Sequence, residues 1–150
     1  MKKWDQGTYK IQNPEKYVGS QPPTFRSSWE RRFCLFCDTH PSIIKWASEN
    51  LKIPYFNPLT NRMANYIPDF LIQYIDKEGV EHTELIEIKP RSQTTMESAG
   101  RSKRNQAAVI LNAAKWDAAK QYCDRRGIHF KVITEDQIFS KPGKARRKKR

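Results

Sequence analysis

The sequence predicts a small mixed α/β layer, and three observations predict it. Residues 66–75 (YIPDFLIQYI) and 80–89 (VEHTELIEIK) are β-branched and aromatic runs joined by the turn Asp76-Lys77-Glu78-Gly79. A short helical segment precedes this hairpin, and a long alanine-rich one follows it. A last β-branched run, residues 128–133, closes the pattern. Helices and strands in this order bury their apolar faces by packing against one sheet.

Each element has a local cause. Residues 1–24 are polar and carry Pro14, Pro22 and Pro23, so an arm or extended lead-in outside the core is expected. The domain proper is read as residues 25–140, with a basic tail over 141–150. Ser27 and Glu30 have S-x-x-E spacing, the signature of a capping box, and open a helix that runs to about residue 38. Pro41 ends that unit, and residues 43–47 (IIKWA) form a short strand. Pro54, Pro58 and Asn61 mark residues 51–65 as an irregular or partly extended connection. Pro90 closes the second hairpin strand. Residues 91–104 (RSQTTMESAGRSKR) lack apolar periodicity and read as a basic loop. The helix over 105–126 places Val109, Ala113, Trp116 and Cys123 toward the sheet, and Gly127 stops it.

Composition narrows the function classes. A chain of 150 residues buries roughly 70% of its unfolded surface, so a core forms without disulfide staples. There is no run of about 18 apolar residues for a membrane span, and the N-terminus MKKWDQGTYK has no apolar stretch of the secretory type. The formal net charge is +12. Seven basic residues and no acid lie in residues 141–150 (KPGKARRKKR), which leaves twenty-one basic against sixteen acidic residues, +5, on the rest. A basic domain with a more basic tail points to a polyanion, and nucleic acid fits better than a membrane surface, because no amphipathic helix shows a large apolar face. Cys34, Cys37 and Cys123 are an odd set; Cys34 and Cys37 have CxxC spacing without a second pair and fall on one helix face, as buried thiols do. His40, His82 and His129 are scattered.

The chemistry concentrates at the hairpin. Residues i and i+2 of a strand share a face, so Glu87 and Lys89 project together while Ile88 points into the core. A three-residue loop with Gly79 left-handed pairs Asp76 with Val80 and sets Asp69 opposite Glu87 on one face. A two- or four-residue loop would set Asp69 opposite Ile86 and split the acids across the sheet. Two adjacent carboxylates repel, and a hard cation such as Mg²⁺ or Mn²⁺ relieves them. Asp69, Glu87 and the Ile88 main-chain carbonyl supply oxygens, and Lys89 stands ready for a phosphate or an attacking water. An ordinary cross-strand ion pair uses the same residue types. Arg91, Arg101, Lys103 and Arg104 flank the site, and Arg146, Arg147, Lys148 and Lys149 add salt-sensitive affinity from the tail. A solvated surface is the plainer reading of the loop. No base-reading module is visible, so DNA binding without sequence preference is expected. Nothing suggests a nucleotide cofactor.

Pro68-Asp69 followed, after seventeen intervening residues, by Glu87-Ile88-Lys89 resembles the PD-(D/E)XK nuclease motif. The order helix-Glu, strand, Asp hairpin ExK, helix, strand resembles that superfamily's αβββαβ core over residues 27–133, the restriction-endonuclease-like fold. The segments FRSSWERRFCLFCD, NYIPDFLIQY and LIEIKPRSQ are similar to the head completion nucleases of T-even bacteriophages. The nuclease subunit of Tn7-like transposition shares such a core. The resemblance implies a Mg²⁺- or Mn²⁺-dependent deoxyribonuclease with endo- and exonuclease action, working in the host cytoplasm as filled heads are finished and joined to tails. It implies Asp69 and Glu87 as metal ligands, Lys89 beside water and phosphate, Glu30 as a further acid, and portal, neck or head proteins as partners. Glu30 also has a sufficient role as the N3 residue of the capping box.

Overall fold

A computed structural model describes residues 6–138 of the chain. The basic tail, with Arg146, Arg147, Lys148 and Lys149, lies outside the described residues. In chain order the elements are β1 (Gly7–Thr8), β2 (Thr24–Phe25), α1 (Ser28–Thr39), β3 (Ile43–Ser48), β4 (Ile53–Asn57), β5 (Arg62–Tyr66), β6 (Phe70–Ile75), β7 (Glu81–Ile88), α2 (Met96–Ala99), α3 (Lys103–Arg126), β8 (His129–Ile133) and α4 (Glu135–Ile138).

Four strands form the central sheet in the order β3-β6-β7-β8. β3/β6 and β6/β7 pair antiparallel, and β7/β8 pair parallel across the α3 crossover. Helix α1 covers one face, where Phe33, Cys34 and Cys37 pack on Trp46, Phe70, Ile72, Ile86 and Ile88. Helix α3 covers the other, where Ala119 and Cys123 join Leu85, Ile53, Tyr55 and Tyr66. Both faces of β7 are therefore buried, which is why Glu87 is only 4% exposed. This mixed α/β layer is the predicted fold class. The three cysteines are free and buried, and burial pushes the Cys34 thiol up to about 12.

The hairpin register is the predicted one. Phe70 pairs with Ile86 and Ile75 with Glu81. The Asp76 N–H donates to the Val80 carbonyl at 2.9 Å, the Gly79 N–H donates to the Asp76 carbonyl at 3.0 Å, and Gly79 has φ +82°. A side chain at Gly79 would be strained there whatever the space.

Five expectations need correction. The lead-in is not outside the core: Tyr9 is 9% exposed and joins the α1 cluster, β1 pairs with β2, and Pro23 is fully buried. Residues 51–65 are not irregular. β4 and β5 make a second, two-stranded hairpin, pairing Ile53 with Tyr66 and Asn57 with Arg62. Pro54 is tolerated because a two-stranded ribbon has only edge strands, where one side of each backbone is unpaired. Residues 66–75 are accordingly two strands broken at Ile67-Pro68-Asp69. Residues 91–104 are largely ordered: α2 lies within them, and Ser102 caps α3 by accepting the Asn105 N–H at 3.1 Å, so Lys103 and Arg104 sit in a first helical turn. On α3, Ala113 is exposed, and Asn112 and Ala119 are buried instead.

Candidate active site

The site forms where the chain crosses between its two hairpins. Pro68 is buried and interrupts the backbone pairing, so Asp69 stands just before β6. Asp69 Oδ2 accepts the Ile88 N–H at 2.7 Å, which locks it against the end of β7. Its carbonyl accepts the Glu49 N–H at 2.9 Å, so Glu49 lies opposite it just beyond β3. Glu49 has φ +48°, a left-handed conformation that side chains seldom adopt. The Arg26 guanidinium holds the Glu49 carboxylate as a fork, Nε to Oε2 and Nη2 to Oε1, each at 2.9 Å.

Glu30 comes from the first turn of α1. Its N–H donates to the Ser27 hydroxyl oxygen at 3.2 Å, as a capped helix requires. Its carboxylate does not return to Ser27: Oε1 accepts the Arg26 N–H at 3.2 Å. The capping box is therefore half made, and the Glu30 side chain is turned toward the acids. Ligand oxygens of Glu30, Glu49 and Asp69 all lie within 4.8 Å of one another. Glu87 borders this set and is held separately. Its Oε1 accepts the Tyr66 hydroxyl at 2.7 Å, and its Oε2 lies 3.7 Å from Lys89 Nζ.

The electrostatics follow from crowding. Burial, then the charges of Glu87 and Glu30, holds Asp69 well above the ordinary carboxylate range, against the Ile88 N–H and Lys89. Burial also raises Glu30, opposed by the Arg26 N–H, with Glu49 and Glu87 adding repulsion. Glu87 is raised by burial and eased by Lys89, the Tyr66 hydroxyl and Lys115. Tyr66 is raised by burial and then by Glu87, so its hydroxyl remains a donor. Lys115, on α3, is lowered by burial and by Lys89, while Glu87 and Asp69 oppose that shift. Buried acids this close share protons unless a cation joins them. An all-oxygen donor set suits a hard divalent cation.

Glu30, Asp69, Glu87 and Lys89 are thus brought together from α1, the β6 entry and β7, with Ile88 between the last two. Arg91 is not free to serve the site alone. Its N–H donates to Glu135 Oε1 at 2.7 Å, and its Nη1 lies 3.3 Å from Asp136 Oδ2. Arg101, Lys103 and Arg104 are exposed around the start of α3. Sequence reasoning missed Arg26, Glu49, Tyr66 and Lys115. For Lys115 a signal existed: it lies three residues after Asn112 and four before Ala119, so it sits beside the buried stripe of its helix.

A sheet with an acid pair across one hairpin, a lysine two residues beyond the second acid and a glutamate from the preceding helix defines a PD-(D/E)XK-type nuclease. Residues 40–135 match the family model described as TnsA-like endonuclease N terminal, and the chain belongs to that family. It is also 34% identical, over 142 residues, to the head completion nuclease of Enterobacteria phage T4, a match that covers 88% of this chain and 92% of that protein.

Proposed function

We propose that the chain is a metal-dependent deoxyribonuclease that hydrolyses phosphodiester bonds in phage head completion. The observation that carries the reading is the meeting of the Glu30, Glu49 and Asp69 carboxylates within 4.8 Å of one another, with Glu87 at their border and Lys89 beside it. Acids forced together at a cost in desolvation and repulsion are explained by a cation they share. Similarity over nearly the whole T4 protein favours head completion over the transposition role of the wider TnsA-like family.

Asp69, Glu87 and the Ile88 main-chain carbonyl would hold Mg²⁺ or Mn²⁺, with Glu30, and Glu49 next to it, completing the acidic wall. The Ile88 N–H faces Asp69, and a strand residue's carbonyl leaves by the same edge as its N–H, toward the same acid. When bound, such a cation lowers the pKa of water and neutralises charge on the phosphate. The protein groups do the rest. Lys89, tethered to Glu87, orients the attacking water or steadies the phosphate. Glu30 lies close enough to accept a proton from that water or a hydrogen bond through it. Tyr66 favours the ionised form of Glu87 against its burial and aims the carboxylate. Arg101, Lys103 and Arg104 offer non-specific phosphate contacts, joined by the tail residues Arg146, Arg147, Lys148 and Lys149. In the assembling phage, endo- or exonucleolytic trimming of packaged DNA before head–tail joining is the task this site suits, with portal, neck or head proteins as partners.

The test is plasmid cleavage by purified protein with Mg²⁺, with Mn²⁺ and with EDTA, beside a folded Asp69→Ala variant. Nicking or linearisation that needs the metal and is lost in the variant is the expected result. Salt-sensitive DNA binding by both proteins with no cleavage by either would favour a structural role at the phage neck instead.

A further inference from the structure

Lys115 is a cation at the site that the nuclease motif does not account for. It rises from the middle of α3, on the opposite face of the sheet from α1, and its side chain is half-buried. Its ammonium lies 5.7 Å from the centroid of the Tyr66 ring, and the Tyr66 hydroxyl in turn donates to Glu87. Its charge acts on Glu87, and Lys89, Glu87 and Asp69 act on it.

What Lys115 lacks is a carboxylate. Lys89 has Glu87 at 3.7 Å, but among the described residues no acidic oxygen lies within ion-pair distance of the Lys115 ammonium. A half-buried ammonium without a counter-ion is costly, and a ring face offsets only part of that cost. The arrangement makes sense if an anion arrives from outside. In a site that accepts DNA, that anion is a phosphate.

We propose that Lys115 contacts a non-bridging oxygen of the scissile phosphate or of its immediate neighbour. Lys89 from β7 and Lys115 from α3 then bracket the strand from two separate elements. This makes Lys115 a second catalytic lysine, and it rests on the nuclease reading of the site. The competing role is structural: a cation laid on Tyr66 that holds the β4–β5 hairpin to α3.

The experiment compares the full-length wild type with Lys115→Met and Lys115→Arg. DNA binding is measured by anisotropy on a plain duplex with Ca²⁺ replacing Mg²⁺, over a series of salt concentrations, and cleavage is measured separately with Mg²⁺. Loss of one phosphate contact lowers the slope of log affinity against log salt by about 0.9. Lys115→Met is expected to show that loss and a cleavage rate lower by on the order of 10²-fold, with unchanged melting. Lys115→Arg is expected to restore the slope and much of the rate. Should Lys115→Met fold poorly, Lys115→Gln supplies the neutral variant. A neutral variant with the wild-type slope overturns the proposal, whether or not cleavage falls, because Lys115 then acts only through Tyr66. Asp69→Asn runs alongside: full cleavage by that variant would sink the site reading itself, whereas a wild-type slope in Lys115→Met would not.

Discussion

Asp38 and Asp69 are two carboxylates in one small domain, treated in opposite ways. Asp38, at the end of α1, is fully buried, and its carboxylate accepts three hydrogen bonds. Its Oδ2 accepts the Tyr9 hydroxyl at 2.9 Å and the Gln12 N–H at 2.8 Å, and its Oδ1 accepts the Asn13 N–H at 3.0 Å. The Asn13 side-chain amide adds a bond to the Asp38 carbonyl at 2.7 Å. Burial alone would raise its pKa, but these bonds outweigh burial and lower it. Asp69 receives one main-chain N–H and faces other acids, so it is raised. A satisfied acid fastens the fold, whereas a frustrated one waits for a ligand.

The sharpest way to break this comparison is to remove each charge. Asp38→Ala strands a buried hydroxyl and two main-chain donors that pointed at a charged acceptor, and should cost about 3 kcal/mol or more of stability. Urea unfolding measures it, and cleavage per folded molecule should be unchanged. Asp69→Asn should do the reverse. It removes the repulsion, so metal-free protein becomes no less stable, while cleavage falls on the order of 10³-fold. If Asp69→Asn unfolds the domain and Asp38→Ala does not, the roles assigned to the two acids are exchanged.

A smaller effect is the pH dependence, and its signs differ for the two regions. The folded pKa of Asp38 is lowered, so its stabilisation is present above the unfolded carboxylate value and is lost as pH falls through the folded one. The folded pKa of Asp69 is raised, and Glu30 and Glu87 shift the same way. Their favourable contribution is present below the unfolded value and is lost as pH rises through the folded ones. Metal-free protein should therefore lose stability as pH rises above the ordinary carboxylate range. Added Mg²⁺ should restore it, most strongly at the higher pH. Melting curves at several pH values, with Mg²⁺ and with EDTA, read this directly. A metal-free stability that only climbs with pH would mean the site acids are not frustrated.

The same contrast explains what the sequence could disclose. The approach of Asp69 to Glu87 was legible because a single local device, the left-handed Gly79 in a short loop, sets the register of the hairpin that carries both. The place of Glu30 in the first turn of α1 was legible through its helix cap, but its place at the site came only from the resemblance to PD-(D/E)XK nucleases. Glu49 was not: its approach to Asp69 depends on β3 pairing with β6 across the twenty-one residues between Ser48 and Phe70, and no turn signal spans that distance. The Asp38 clamp was hidden for the same reason, since its donors lie 25 to 29 residues away along a polar lead-in. The β4–β5 hairpin was masked by Pro54 and Pro58, which argue against a strand except at an unpaired edge. Local rules reach features whose partners are near in sequence, and the missed residues all met their partners through tertiary structure.

Tyr66 is the place where the two treatments meet, because it gives a site acid the kind of donor that Asp38 enjoys. Its hydroxyl donates to Glu87 at 2.7 Å from the last residue of β5, and its ring is 3% exposed. Tyr66→Phe keeps the packing and deletes that one bond. Glu87 then loses a donor that favours its ionised form, and its proton affinity rises further. Losing a hydrogen bond that orients a metal-binding carboxylate costs about 10- to 100-fold in metal affinity or activity. Cleavage titrated with Mg²⁺ should therefore reach half its maximum at a concentration about tenfold higher, and the acid limb of the pH–rate profile should move upward. Thermal stability should change little, since the departing bond also relieves a desolvated hydroxyl. A variant that cleaves with wild-type metal dependence would reduce Tyr66 to a packing residue of its hairpin and leave Glu87 to Lys89 and Lys115.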